Sequence, residues 1–582
     1  MKKKKSLNNK KLRASAVAGA CLLAAMAASR VYADPHGHGS VNNRNHISHV
    51  LLLSIDGMHA LDFVNCAKAG TCPNLAALAH TGVNYLDTST SKPSDSFPGL
   101  MALVTGGSPR TVGAFYDVAY DRSLQPPATD TGNGLAHGSC TPNQTPTGTT
   151  TEYEEGVDID QSKLNGGGPG DGQADSIDPA KLPRDPANNC APVEPWNFVR
   201  TNTIFGVIHA SHGYTAWSDK HPVYVAVSGP GANPSNVDDF FGPEINSVPV
   251  KAPDGIAQVA GCKPLPDQLA TTSKDDFTTS FQNIQCYDAL KVQAILNEID
   301  GKTHNGGANA PVPTIFGMNF QAVSVGQKLI YAHGTPPLPF SKVGGYKDSL
   351  GTPTDSLLQE IEFADRSVGA MTAELKKNGL LNSTLIIVTA KHGQSPIDSG
   401  RFLEIPAPND PASIIDALLP ASESQSGGQI GPTEDDVALL WLADSGQTAL
   451  AVSMLETASP ATSNVAGIGE IFWGPSIGLM YNLPGLPPNG DPRTPDIIVT
   501  PNIGVVYSGS SKKLAEHGGF AHDDTNVMML LSNPSFSART VTSPVETAQV
   551  APTILEAVGL DPNSLDAVQK EHTQVLPGVF GN

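Results

Sequence analysis

Four stretches place chemically competent side chains directly after an apolar run or at the start of an apolar helix. Asp56 follows HVLLLSI, Ser96 opens SFPGLMALVTG, Lys391 and His392 follow TLIIVTA, and His517 lies in AEHGGFAHDD just before NVMMLLS. A carboxylate, a hydroxyl and two imidazoles that converge from separate segments suit a hard or borderline divalent cation. A hydroxyl at a helix N-terminus sits beside the positive end of the dipole and unpaired N–H groups, which favour an anionic group there. Lys391 is foreign to such a set. At about 4 Å two unit charges interact by about 4 kcal/mol at an effective dielectric of 20, so an ammonium there opposes a nearby dication. It can instead hold an anionic oxygen or depress the pKa of Ser96, or simply snorkel at the sheet edge. The stretch TAWSDKHPVYVAVSGPG adds Lys220 and His221 as candidate substrate contacts, with an equally good structural reading. Taken singly, an aspartate after a strand is most often a turn residue and a serine before a helix most often a cap.

These positions need a scaffold that brings distant segments to one edge. HVLLLSI and TLIIVTA are continuous apolar runs, the pattern of parallel strands covered on both faces. DSLLQEIEFADRSVGAMTAELKKNG is an amphipathic helix, with Asp355 as its expected cap, and it leads straight into TLIIVTA. Helix then strand with a short connection marks a right-handed βαβ unit. Shorter helices are expected at 73–81 and 96–106, the latter entered through Ser96, and a last one at ETAQVAPTILEAVGL. Strands are expected at NTIFGVIHA, HPVYVAVSG, PTIFGMNFQAVSV, PDIIVT, IGVVYS and NVMMLLSN. The fold class is therefore α/β, a mostly parallel central sheet with helices on both faces, and in such sheets ligands bind beyond the carboxyl ends of the strands. A catalytic domain over 47–582 is expected to be discontinuous, interrupted by an insertion at 122–310, Gly- and Pro-rich over 122–200, and by a small subdomain at 400–485.

The N-terminus bounds the setting. MKKKKSLNNKKLR, an apolar stretch and Val31-Tyr32-Ala33 read as a signal peptide over 1–33, followed by a disordered polar segment at 34–46. The chain is thus expected to be exported, to a periplasmic or secreted destination, with no membrane span. Loss of the eight Lys and Arg of residues 1–33, which contain no acid, takes the formal net charge from −20 to −28. So acidic a surface repels nucleic-acid backbones, and nucleic-acid binding is not expected. Of seven cysteines Cys21 leaves with the leader. The remaining six suggest disulfides, with the pairing Cys66 to Cys72, Cys140 to Cys190 and Cys262 to Cys286.

In order along the chain, VLLLSIDGM, SDSFPGLMALVTGGSPRTVG, TLIIVTAKHGQSP, AEHGGFAHDDTNVMMLL and AQVAPTILEAVGL resemble the type I phosphodiesterase and nucleotide pyrophosphatase branch of the alkaline phosphatase superfamily. The resemblance spans roughly 47–120, 310–400 and 490–565. It implies an alkaline phosphatase-like fold, Ser96 as the nucleophile that attacks phosphorus, and Asp56, His392 and His517 as metal ligands. It also exposes departures. Where the family carries Asp-His-Gly this chain has Lys391-His392-Gly393. Where the family carries an Asp and a His four residues apart, it has Val323 and Gln327, which leaves Gln327 as a candidate substrate contact. The polar residue after the nucleophile's Phe-Pro, often Asn, is Gly99.

Three of six expected ligands are too few for two tightly held zinc ions. One divalent ion is expected, zinc favoured, with calcium, magnesium or no metal also open. The expected activity is hydrolysis of a small anionic ester, a phosphodiester or nucleotide pyrophosphate, with Ser96 and Lys391 as catalytic residues. A sulfatase-like or metal-independent esterase, and a pseudoenzyme that binds an anionic ligand, are the alternatives.

Overall fold

The computed structural model of the protein describes residues 47–131, 134–153, 174–231, 234–246, 277–279, 281–330, 343–426, 430–457, 466–509 and 513–580. The expected leader, the polar segment at 34–46 and Cys262, with its expected partnership to Cys286, lie outside them. Eight strands build the main sheet: β1 (His49–Ile55), β2 (Gly82–Tyr85), β3 (Ala216–Ser218), β4 (Asp239–Phe241), β5 (Ile315–Phe320), β6 (Thr384–Thr389), β7 (Met529–Ser532) and β8 (Arg539–Val541). Their order is β8-β2-β7-β6-β1-β5-β3-β4, and β7 alone runs against the others.

Period-two alternation sorts the central strand between two cores. Leu51, Leu53 and Ile55 of β1 join one cluster, and Val50 and Leu52 join the other. The first is closed by helices α1 (Ala60–Ala69), α2 (Pro73–Ala79), α4 (Phe281–Ile299) and α5 (Asp355–Lys377), the second by α3 (Ser96–Thr105) and α6 (Val550–Ala557). Both faces of the sheet are therefore apolar, which is why its strands read as unbroken hydrophobic runs.

Register carries the site. Ile55 is opposite Phe320 and Ser54 is opposite Thr389, so the residues just past the three strand ends, Asp56, Gln321 and Lys391, come level. On β3, Ser218 is opposite Met318, which sets Asp219 beside Asn319. Because β7 is antiparallel, it starts at the edge where the other strands finish, and the loop before it delivers His517 there.

Several elements differ from expectation. NTIFGVIHA is helical over Ile204–Ala210, capped by Thr203, whose side chain accepts from the Gly206 N–H. HPVYVAVSG forms 3₁₀ turns over Pro222–Ser228, started by Pro222, whose missing N–H suits a first turn. Short apolar runs carry too little periodicity to separate strand from buried helix. Ile497–Pro501, expected in the main sheet, belongs to a second, antiparallel sheet with 433–434, 438–440 and 468–473. The stretch 122–310 contributes β3, β4 and α4 to the main sheet and its core. Helix caps move by one residue: Thr354 caps α5 and Asp95 caps α3, so Ser96 is the first helical residue rather than the cap. Disulfides join Cys66 to Cys72 and Cys140 to Cys190, as expected. Among the described residues no helix is long and apolar enough to cross a membrane.

Candidate active site

Six of the residues picked out in the sequence come together at the carboxyl edge of the sheet. Ser96, fully buried, faces Lys220, whose Nζ lies 3.0 Å from Ser96 Oγ. Lys391 Nζ donates to Asp219 Oδ1 at 3.1 Å, lies 3.3 Å from Asp56 Oδ2, and stands 4.7 Å from the centre of the Tyr224 ring. His392 Nε2 is 3.8 Å from Asp56 Oδ2, and its Nδ1 bonds to the Gly393 carbonyl at 2.7 Å. The rings of His392 and His517 lie 4.0 Å apart, and His517 Nδ1 is 3.4 Å from Asp95 Oδ1. Lys220 and His517 keep 7% and 9% exposure, whereas Ser96, Asp56 and Lys391 keep none, so the cluster meets solvent on the Lys220 and His517 side.

Gly99 explains how α3 reaches this position. A Cβ there would fall 2.2 Å from the Lys391 carbonyl oxygen, so only glycine lets the first turn of the helix lie against the end of β6.

Asp56 is held by donors on every side. Ser54 Oγ donates to Oδ1 at 2.9 Å, and Asn319 Nδ2 and Gln321 Nε2 donate to Oδ2 at 3.1 and 2.6 Å. Asn319 is oriented by Lys291 of α4, which donates to its Oδ1 at 2.8 Å. Burial favours a neutral Asp56, but the charges of Lys391, His392 and Lys220 overcome it and hold the carboxyl well below the usual range.

The two lysines part company. Burial opposes the charge of Lys391, yet the carboxylates of Asp219 and Asp56 more than compensate and raise its pKa. Lys220 is pushed down to about 7, first by burial and then by the charge of Lys391, against the pull of Asp56 and Asp95. Burial likewise pushes His392 down to about 3, and His517 well below its ordinary value with help from His392. Asp95 is driven well above the usual carboxylate range by burial and by Asp117.

Two candidates are placed elsewhere. His221 lies against Glu244, with Nδ1 2.8 Å from Oε1, and burial holds it well below its normal pKa. Gln327 sits on the short helix Ala322–Lys328, and its Nε2 donates to the Gly57 carbonyl at 2.7 Å and to Tyr346 Oη at 2.9 Å, within a cluster with His59 and Asp62. Asp219, Asp95, Asn319 and Gln321 were not anticipated. Asp219 and Gln321 each directly follow a strand, so the rule that found Asp56 applies to both; β3, with three residues, is too short to announce itself.

The expected divalent ion can be tested against these groups. Asp56 Oδ2 already accepts from two amides and faces an ammonium. Among the described residues no three His, Cys, Asp or Glu groups are arranged to hold a metal ion. The donor set therefore does not fit one: the ammonium of Lys391 lies beside the carboxylate that was expected to bind it.

A family model described as type I phosphodiesterase / nucleotide pyrophosphatase matches residues 50–148 and 220–523. No curated protein sequence matches the chain. Among solved structures, alkaline phosphatase PafA in a quadruply substituted form is 12% identical, with a TM-score of 0.51, over 89% of this chain and 99% of that one. Murine ectonucleotide pyrophosphatase / phosphodiesterase 5 is 14% identical, with a TM-score of 0.49, over 88% and 96%. The human form is 13% identical, with a TM-score of 0.49, over 88% and 95%. At such identities the likeness bears on the fold alone, and the match to PafA carries it.

Proposed function

We propose that this chain, which belongs to the type I phosphodiesterase / nucleotide pyrophosphatase family of ester hydrolases, cleaves a small phosphoric ester, a phosphodiester or nucleotide pyrophosphate, by attack of Ser96 on phosphorus. The observation that carries the reading is the placement of Ser96. It is the first residue of α3, at the carboxyl edge of the sheet, 3.0 Å from Lys220 Nζ. A helix N-terminus and two lysines supply positive potential where charge grows on the phosphoryl oxygens in the transition state. In-line attack forms the bond from Ser96 Oγ to phosphorus as the bond to the leaving oxygen breaks, and water then releases the phosphoryl group. Lys391, fixed between two carboxylates, stabilises the anionic oxygens, and His392 and His517 orient the incoming water. Two disulfides and the N-terminal leader pattern support action in an exported, oxidising setting. The high negative charge favours small substrates over nucleic acids.

The test is Ser96→Ala assayed on an aryl phosphodiester, with acid quench of wild-type turnover and mass analysis of the peptide that contains Ser96. Turnover should be abolished, and a phosphoryl adduct should be found on Ser96 in the wild type. Undiminished turnover in pure Ser96→Ala protein would remove the reading.

A further inference from the structure

We propose that Lys220 is the general base for Ser96 and that, with Lys391 as a permanent cation, it does the work of a bound dication, so that hydrolysis proceeds without a metal. This rests on Ser96 as the nucleophile. A metal at such a site has two tasks: to help the hydroxyl lose its proton and to neutralise the phosphoryl oxygens. Here the two fall to different lysines. Lys391 is held by Asp219 at 3.1 Å and Asp56 at 3.3 Å, an arrangement that keeps it charged and fixed. Lys220 is directed at the hydroxyl, 3.0 Å from Ser96 Oγ, within reach for direct proton transfer.

The groups that face Lys220 set its proton affinity. Lys391 of the β6 end and Lys328 oppose its charge, while Asp56 of the β1 end and Asp95 at the start of α3 favour it. Asp117, His221, His392 and His517 also feel its field. Burial and Lys391 prevail, which leaves a sizeable share of neutral amine at neutral pH. One lysine held charged beside another that titrates near 7 divides charge stabilisation from base work between two like side chains.

The proton count closes. Neutral Lys220 takes the Ser96 proton as Oγ bonds to phosphorus, and the leaving oxygen departs on the far side and is protonated by water. The hydroxide so formed attacks the phosphoserine. As the bond from phosphorus to Oγ breaks, the ammonium of Lys220 returns its proton to Ser96. A phosphodiester and water become an alcohol and a phosphate monoester, and the site is restored.

The experiment uses the full-length protein, dialysed against EDTA and 1,10-phenanthroline, with metal content measured alongside turnover of an aryl phosphodiester. Turnover is expected to persist in metal-free protein, with kcat/KM rising with pH through one ionisation near 7. Lys220→Arg keeps the charge but cannot act as a base. It should lose about 10²–10⁴-fold in kcat, and its alkaline rise should vanish. Loss of turnover on chelation with recovery on adding zinc, or a Lys220→Arg enzyme with normal turnover and an unchanged pH profile, would overturn the proposal. Chelation and the wild-type profile need no variant, so a Lys220→Arg protein that melts early does not blunt the test. Should Ser96→Ala remain active, it is the underlying serine reading that fails.

Discussion

Two buried imidazoles at the same edge of the sheet have opposite fates. His59 lies three residues past Asp56, bonded through Nδ1 to Asp62 at 3.0 Å and Tyr346 at 2.9 Å and through Nε2 to the Gln394 carbonyl at 2.9 Å. His392 also faces a carboxylate, but at 3.8 Å, and that carboxylate is shared with Lys391. Burial depresses both. Hydrogen bonding and the charge of Asp62 reverse the effect at His59, whose pKa is raised, while Lys220 and Lys391 reinforce it at His392. A buried imidazole is therefore governed by how closely its carboxylate bonds to it and by whether cations stand beside it. Around His59 the partners close on one another, as a structural cluster does. Around Ser96 lysines, carboxylates and imidazoles with shifted pKa values crowd one hydroxyl, the kind of cluster that marks a candidate functional site.

The most drastic way to break this contrast is Lys391→Met, which leaves Asp56 and Asp219 buried without their ammonium. A loss of about 3–5 kcal/mol in unfolding free energy is expected from chemical denaturation, together with loss of turnover. Tyr346→Phe strikes the other cluster, where Tyr346 Oη donates to Asp62 at 3.0 Å. It should cost about 1–3 kcal/mol of stability and leave turnover within a few-fold of wild type. Inactivation by Tyr346→Phe without destabilisation would mean that the two clusters are not separate in function.

The finest test is the pH dependence of melting. His392 has a folded pKa near 3 against 6.5 in model compounds, so the unfolded chain gains the proton first, and stability falls as pH drops from 6.5 toward 3. His59 has a folded pKa above 6.5, so its contribution is fully present below 6.5 and is lost as pH rises through the folded value. His392→Asn should flatten the acid limb of the melting curve and His59→Asn the alkaline limb. The same limb altered by both would contradict the assignment.

Much of this site could be read from the chain alone. Asp56, Lys391 and His392 follow largely apolar strands, whose ends are easy to find, and Ser96 opens an apolar helix that ends in Gly106. Asp219 was harder, because β3 has three residues and the apolar run after it forms 3₁₀ turns. Gln327 was misleading for a different reason: its position relative to β5 suits a ligand, but its amide is taken up by Gly57 and Tyr346.

Strand periodicity, the helix start at Ser96 and the order of the motifs depend on local sequence, so they settled the α/β architecture, the family and most of the residues at the cleft. The protonation and partners of those residues did not follow from local sequence. Lys391 meets Asp219 across 172 positions and Lys220 meets Ser96 across 124. Whether a lysine is a fixed cation or a base depends on which carboxylates lie within about 4 Å and how completely water is excluded, and the packed fold alone creates both conditions.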